Sequence, residues 1–108
     1  MIIEMRVYHA TPGRMPDLLA RFRDHTLGIW EKHGIKQAGF FTTVIGQSNH
    51  DLTYFLAWDS MAERERKWGA FQSDPTWVAI RAKTEANGPL ITHLESQFLA
   101  PTDFSSVK

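Results

Sequence analysis

Two stretches near the ends of the chain place polar side chains that could do chemistry at every second position. The first stretch carries a carboxylate, a guanidinium and a phenol in this way: Glu4, Arg6 and Tyr8. The second carries an imidazole, a carboxylate and an amide: His93, Glu95 and Gln97. If two such strands lie side by side, Arg6 can pair with Glu95, while Tyr8 and His93 can line one cavity. Two interpretations stay open, an ion pair that serves structure alone and a ligand-binding site.

Histidine supplies further candidates for proton transfer because it titrates near neutral pH. His25 and His33 fall on or beside the apolar stripe of the first predicted helix. Either could carry a proton, and His33 could instead ligate haem or serve the helix end, where a cation is favoured. The two lie eight residues apart, about 12 Å along a helix, which is too far to share a metal ion. We predict no metal site, and assign His9 and His50 to turns.

Four tryptophans are many for a chain of 108 residues. In one interpretation they pack the core, because aromatic side chains dominate burial. In the other they form the walls of a pocket between helices and sheet that holds a flat hydrophobic ligand. The predicted ligand-binding set combines them with polar strand residues: Arg6, Tyr8, Trp30, Trp58, Trp68, Trp77 and Glu95. The candidates for catalysis are Tyr8, His25, His33 and His93.

Composition narrows the class of protein. Lys and Arg together number 12, as do Asp and Glu, so the formal net charge is zero, and the basic excess of a nucleic-acid-binding protein is missing. The absence of cysteine excludes disulfides, thiolate catalysis and iron–sulfur clusters. No stretch has the length of a membrane span, and the N-terminus lacks the apolar core of a signal peptide. We expect a soluble, cytoplasmic protein without nucleic-acid partners.

The elements that must position these residues follow from periodicity and from turn residues. In chain order they are a strand at 2–9, a helix at 15–33, strands at 38–45 and 52–58, two helices that begin after Ser60 and Asp74, and a strand at 91–99. This order, β-α-β-β-α-α-β, is that of a ferredoxin-like α+β domain, a four-stranded antiparallel sheet with helices on one face. We expect one domain at residues 1–101 and a C-terminal arm at 102–108.

The helix ends carry recognisable cap residues. Gly34 follows the first helix, where a left-handed cap is preferred. Ser60 and Glu63 have the spacing of a capping box. Asp74 followed by Pro75 is typical of a helix start.

The predicted hairpin at 38–58 is apolar on both of its faces. Phe40 and Val44 share one face of its first strand, and Phe41 and Ile45 share the other. Leaving the face without helices in water would expose a larger apolar patch than monomers usually carry. We therefore predict a homodimer that pairs sheet against sheet; the alternative is that sheet twist and loops hide the face.

Several short motifs occur in a fixed order along the chain. They are EMRVY at 4–8, PG at 12–13, HG at 33–34, GFFTTVIG at 39–46, LAWDSMAER at 56–64 and DPTW at 74–77. From residue 2 to about residue 101 the chain resembles the NIPSNAP family, within the dimeric α/β-barrel superfamily. Trp58 departs from the family pattern, which often has a tyrosine or another aromatic residue there.

The resemblance implies a ferredoxin-like protomer whose sheet pairs with a second copy to close a barrel. It implies no single activity, because superfamily relatives include cofactor-independent monooxygenases, haem-degrading enzymes, isomerases and proteins without known catalysis. Three hypotheses follow. The first is a homodimer that binds a small hydrophobic or aromatic ligand, with no cofactor. The second is a small enzyme, either a cofactor-independent monooxygenase or isomerase or a haem-related enzyme. The third is a purely structural interaction protein.

Overall fold

The computed structural model describes all 108 residues and contains four strands and four α-helices. The strands are β1 (Ile2–Ala10), β2 (Lys36–Thr42), β3 (Asp51–Trp58) and β4 (Ile91–Leu99). The helices are α1 (Met15–Arg21), α2 (Leu27–His33), α3 (Met61–Gln72) and α4 (Pro75–Thr84). None of them combines the length and the apolar character that crossing a membrane requires.

The strands form one antiparallel sheet in the order β2-β3-β1-β4. The two central strands, β1 and β3, pair along their whole length, with Ile2 opposite Trp58 and His9 opposite Asp51. Strand β4 lies on the other side of β1 and forms one edge of the sheet. The predicted ferredoxin-like α+β fold is therefore confirmed, with the helices on one face only.

The first helix departs from the prediction of one regular α-helix at 15–33. Residues Phe22–Thr26 form a π-helical turn between α1 and α2. The hydroxyl of Thr26 donates a hydrogen bond to the carbonyl of Arg21, five residues earlier, at 3.3 Å. The wider turn keeps both Phe22 and Thr26 buried, which a regular helical period does not anticipate.

Strand β2 begins and ends earlier than its composition predicts. Its pairing with β3 shifts between Gln37 and Phe40, at a bulge that contains Gly39 with φ of 115°. Val44 and Ile45, expected in the strand, lie in the following loop and are 92% and 95% exposed. The prediction was wrong here because β propensity reports fit to a half-buried pleated surface, and these side chains have no such surface.

All three predicted caps are present. Gly34 closes α2 in the left-handed conformation, with φ of 72°. The hydroxyl of Ser60 accepts a hydrogen bond from the amide of Glu63 at 3.1 Å, and the Glu63 carboxylate accepts one from the amide of Asp59 at 3.2 Å. The carboxylate of Asp74 accepts a hydrogen bond from the amide of Thr76 at 2.8 Å.

A single aromatic-rich core lies between the helices and the sheet. Its largest fully buried side chains come from α2, β3 and α3: Trp30, Tyr54, Trp58 and Phe71. Strand β1 alternates across the sheet, so that Glu4, Arg6 and Tyr8 point toward this core. Its apolar residues Ile3, Met5 and Val7 lie on the opposite face, which no helix covers. We call this second surface the open face.

Two glycines of the first helical region, Gly34 at the cap and Gly28 inside α2, test the assigned left-handed cap. Gly34→Ala places a Cβ in a left-handed conformation, so we expect the free energy of unfolding to fall by about 1 kcal/mol. Gly28→Ala, whose new methyl group meets no atom within 4 Å, should raise it by about 0.5–1 kcal/mol. Urea unfolding of both variants measures the two effects, and equal signs would contradict the assigned cap.

Candidate functional site

The carboxylate of Glu4 is fully buried and accepts five hydrogen bonds. Oε1 accepts from the indole of Trp58 at 3.1 Å and from Arg64 at 3.2 Å. Oε2 accepts from Arg6 at 2.9 Å, from Ser96 at 2.8 Å and from Arg64 at 3.3 Å. Burial alone would raise the pKa of Glu4, but the hydrogen bonds from Ser96, Arg64 and Arg6 hold that pKa below its ordinary value. The carboxylate is therefore ionised and satisfied.

The guanidinium of Arg6 continues this network into the core. It donates to the phenol of Tyr54 at 2.7 Å and to the phenol of Tyr8 at 3.4 Å, and Tyr54 donates to Tyr8 at 3.0 Å. The central carbon of this guanidinium lies 4.7 Å from the centre of the Trp68 ring. Burial, followed by the proximity of Tyr8, raises the pKa of Tyr54 well above its ordinary value. Tyr54 therefore remains a protonated hydrogen-bond donor, and this network serves to hold β1 against the core.

All four tryptophans pack in or against this core, and they fill it. The ring of Trp68 lies 6.0 Å from Trp30 and 6.5 Å from Trp58, and Trp30 and Trp58 are each 1% exposed. Trp77 belongs to the same core on the α4 side, 4.8 Å from Phe71 and 5.3 Å from the guanidinium of Arg21. The tryptophans are core residues here, and the aromatic rings occupy the place where a pocket between helices and sheet was expected.

The predicted pair of Arg6 and Glu95 was wrong, because the two residues lie on opposite faces of the sheet. In the register of β1 with β4, Glu95 stands opposite Val7, while Arg6 stands opposite Ser96. Residues directly opposite each other in an antiparallel pair share a face. Ser96 therefore faces the helices, and Glu95 lies on the open face.

The same register separates Tyr8 from His93. Tyr8 is buried in the core, whereas His93 stands opposite His9 on the open face. The predicted cavity that these two residues would line together is therefore absent.

A cluster of two imidazoles and two carboxylates lies on the open face, at one end of the sheet. The rings of His9 and His93 stack with centres 4.0 Å apart. Nε2 of His9 contacts the carboxylate of Glu95, and its Nδ1 lies 2.7 Å from Oδ1 of Asp51. Glu95 and then Asp51 raise the pKa of His9 above its ordinary value. The predicted position of His9 in a turn was wrong, since His9 belongs to β1. The alternation of β1, continued by two residues past Val7, is the signal that places His9 on this face.

The two helical histidines lie apart from both groups. Nε2 of His33 is 2.7 Å from Oδ2 of Asp74, and Nζ of Lys32 is at the same distance. These contacts from Lys32 and His33, with the amide of Thr76, hold the pKa of Asp74 well below its ordinary value. His33 thus joins the end of α2 to the start of α4, while His25 is exposed on the outer side of the helical region.

An apolar groove of about 480 Å³ occupies the other end of the open face. One wall is the sheet itself, where Ile3, Phe41 and Phe55 meet. The other wall is the segment after β4, which turns back over the sheet and includes Pro101 and Val107. Thr102, Ser105 and Val107 of the predicted arm therefore line this groove, and the division into a domain at 1–101 and an arm at 102–108 stays a prediction.

The buried network around Glu4 makes a direct prediction about stability. Glu4→Gln removes the negative charge between two arginines, so we expect the free energy of unfolding to fall by about 2–4 kcal/mol. Glu65→Gln on the exposed side of α3 is the control and should change it by less than about 0.5 kcal/mol. Urea unfolding at neutral pH compares the two, and equal effects would contradict the structural role of Glu4.

Solved structures of similar proteins cover nearly the whole chain. An uncharacterised NIPSNAP domain protein from Burkholderia xenovorans is 30% identical over 97% of this chain and 98% of its own, with a TM-score of 0.84. Protein Atu4242 from Agrobacterium tumefaciens is 25% identical over all of both chains, with a TM-score of 0.88. A mutant of MhuD with two manganese protoporphyrin IX molecules per active site is 16% identical over 93% of both chains, with a TM-score of 0.62. That last likeness concerns the fold alone.

The family itself follows from the sequence model that matches the chain. A search of curated proteins found no match to this chain. The NIPSNAP family model matches residues 3–106, which include every helix, all strand residues except Ile2, and most of the segment that lines the groove. This chain belongs to the NIPSNAP family.

Proposed function

We propose that this protein works as a homodimer joined through the open faces of two sheets. The observation that carries the proposal is the orientation of β1, whose charged residues point into the core while its apolar residues point away from it. Ile3, Met5 and Val7 lie on the open face. A central strand with this inverted pattern is expected only where a second apolar layer covers the outer face.

The rest of the open face supports the same conclusion. Phe41 is 56% exposed and lies 6.1 Å from Phe55, and Leu99 beside them is 40% exposed. Aromatic and aliphatic side chains that share one flat face form the kind of patch that marks an interaction site. The formal net charge of zero adds no long-range repulsion between two copies. A second copy of this chain is therefore the partner that fits this surface.

The dimer is tested by sedimentation at micromolar concentration. The wild type should sediment at twice 12.4 kDa. Phe41→Asp places a charge on the open face and should shift the protein toward the monomer, because burying an unpaired carboxylate is unfavourable. Val78→Asp, at a site 53% exposed on α4, is the matched control and should leave the dimer unchanged. A wild-type monomer, or equal effects of the two variants, would contradict the proposal.

The apolar groove extends the proposal to a ligand. Seven of its ten lining residues are hydrophobic, and about 480 Å³ lies within the range of small-molecule pockets. A small hydrophobic or aromatic ligand would lie between Phe41 and Phe55 on the sheet and Pro101 and Val107 of the segment after β4. A second sheet placed over this face would shield such a ligand from water. The groove thus replaces the filled space between helices and sheet as the proposed ligand site.

Occupancy of the groove can be measured with the dye 1-anilinonaphthalene-8-sulfonate, whose emission rises in apolar surroundings. We expect saturable binding of one dye per chain. Ala38→Trp fills the groove and should weaken binding by about tenfold, since it removes the volume that the ligand needs. Ala62→Trp, also at an exposed alanine but on α3, should bind as the wild type does. Sedimentation of both variants checks the dimer, and undiminished dye binding by a dimeric Ala38→Trp protein would contradict the assignment.

The enzyme hypotheses receive less support from the same geometry. A cofactor-independent monooxygenase or isomerase needs a reactive group that a substrate can reach, whereas Tyr8 is 9% exposed and hydrogen-bonded to Arg6 and Tyr54. A haem held between helices and sheet would need a ligand there. His33 is engaged by Asp74, His25 is exposed on the outer surface, and His9 and His93 face away from the helices. These residues do not fit a histidine-ligated haem in that place, and we favour the binding protein.

A further inference from the structure

The end of the open face opposite the groove carries a group of side chains that neither dimer nor ligand explains. We infer that His9, His93 and Glu95 form a binding site for a divalent transition-metal ion of the Zn²⁺ class. The sequence alone predicts no metal site, because it has no pair of histidines at helical ligand spacing. The two histidines are brought together by the pairing of β1 with β4, which places His9 directly opposite His93.

The donor atoms are already gathered in one small volume. One ligand atom from each of the three residues lies within 4.8 Å of the other two. Nε2 of His9 contacts the Glu95 carboxylate, and Nε2 of His93 lies 3.8 Å from its Oε1. Ligands around a tetrahedral zinc ion, with bonds of about 2.05 Å, are about 3.3 Å apart. The donor atoms must therefore close by up to about 1.5 Å, and at least one side chain must reorient to aim its donor atom at the ion.

Those movements fall on the side chains that are free to make them. The two imidazoles are stacked with an angle of 16° between their planes, while a shared ion must lie near the plane of each ring, so one ring has to turn. The side chains of His93 and Glu95 are 62% and 65% exposed, and rotation about their side-chain bonds breaks little packing. His9, at 24% exposed, remains the fixed ligand.

Each imidazole has a polar side chain beside its Nδ1 atom, Asp51 at His9 and Thr92 at His93. Oδ1 of Asp51 lies 2.7 Å from Nδ1 of His9, so a carboxylate stands behind this ring, on the side of the nitrogen that does not contact Glu95. A carboxylate behind a ligating imidazole is the usual outer partner in such sites. Oγ1 of Thr92 lies 3.4 Å from Nδ1 of His93 and donates to the carbonyl of His9 at 3.1 Å. It thus ties the two strands together beside the site.

The ligand set identifies the class of ion. Two imidazoles and one carboxylate suit Zn²⁺ and its first-row neighbours, whereas Mg²⁺ and Ca²⁺ prefer oxygen ligands. Two carboxylates, Glu95 and Asp51, supply negative charge next to the ion. Three protein ligands leave a fourth position open, which is the arrangement of zinc sites that carry a water molecule.

Calorimetric titration of the metal-free protein with zinc chloride tests the site, with magnesium chloride as the comparison. We expect one Zn²⁺ per chain and no Mg²⁺ binding. His93→Ala and Glu95→Gln should each weaken Zn²⁺ binding by about tenfold or more, whereas His50→Ala, which removes an exposed histidine in a turn, should leave it unchanged. Absence of Zn²⁺ binding, or unchanged binding in both ligand variants, would overturn the inference.

The zinc site does not rest on the proposed dimer, because all its ligands belong to one chain. The Phe41→Asp variant, at the other end of the face, should still bind one Zn²⁺. Titration and sedimentation of that variant therefore report on the two proposals separately.

Discussion

The buried carboxylate of Glu4 is the interaction around which this small domain is arranged. It lies in the middle of the molecule between two guanidinium groups, and every one of its hydrogen-bonding positions is used. A buried charge is tolerated only with such partners, because its desolvation is otherwise strongly unfavourable. The network links the sheet to α3 through Arg64 and links β1 to β3 through Trp58 and to β4 through Ser96. It therefore fixes three strands and one helix relative to one another.

This arrangement has a consequence for the opposite face of the sheet. A strand alternates its side chains, so turning Glu4, Arg6 and Tyr8 toward the core turns the apolar residues between them outward. The helix side is closed by aromatic packing and by the hydrogen-bonded network of Glu4 and Arg6. Binding chemistry is left to the open face, which has an apolar groove at one end and the His9 cluster at the other. Partner, ligand and metal are thus proposed on one surface for one physical reason.

Much of this fold could be predicted from the sequence because the signals are local. The caps at Gly34, Ser60 and Asp74 depend on one or two neighbouring residues, and the alternation of β1 depends on period alone. Period does not say which face the helices cover, so the buried role of Glu4 and the outward direction of Val7 required the tertiary structure.

The site was harder to predict for a related reason. The pairing of Arg6 with Glu95 failed by one residue of register, which is enough to move a side chain to the other face of a sheet. His9 and His93 are separated by most of the chain, and only the alignment of β1 with β4 brings them together. A cytoplasmic location, expected from composition, stays a prediction.

The central claim, that two copies pair through their open faces, is tested most directly by the size of the particle in solution. A single chain has a radius of gyration of 14.4 Å, whereas a compact particle of two chains should have a value of about 17 Å. Small-angle X-ray scattering of the wild type measures this quantity without any substitution. A value near 17 Å agrees with the pairing of two sheets, and a value that stays at that of the single chain across the concentration range contradicts it.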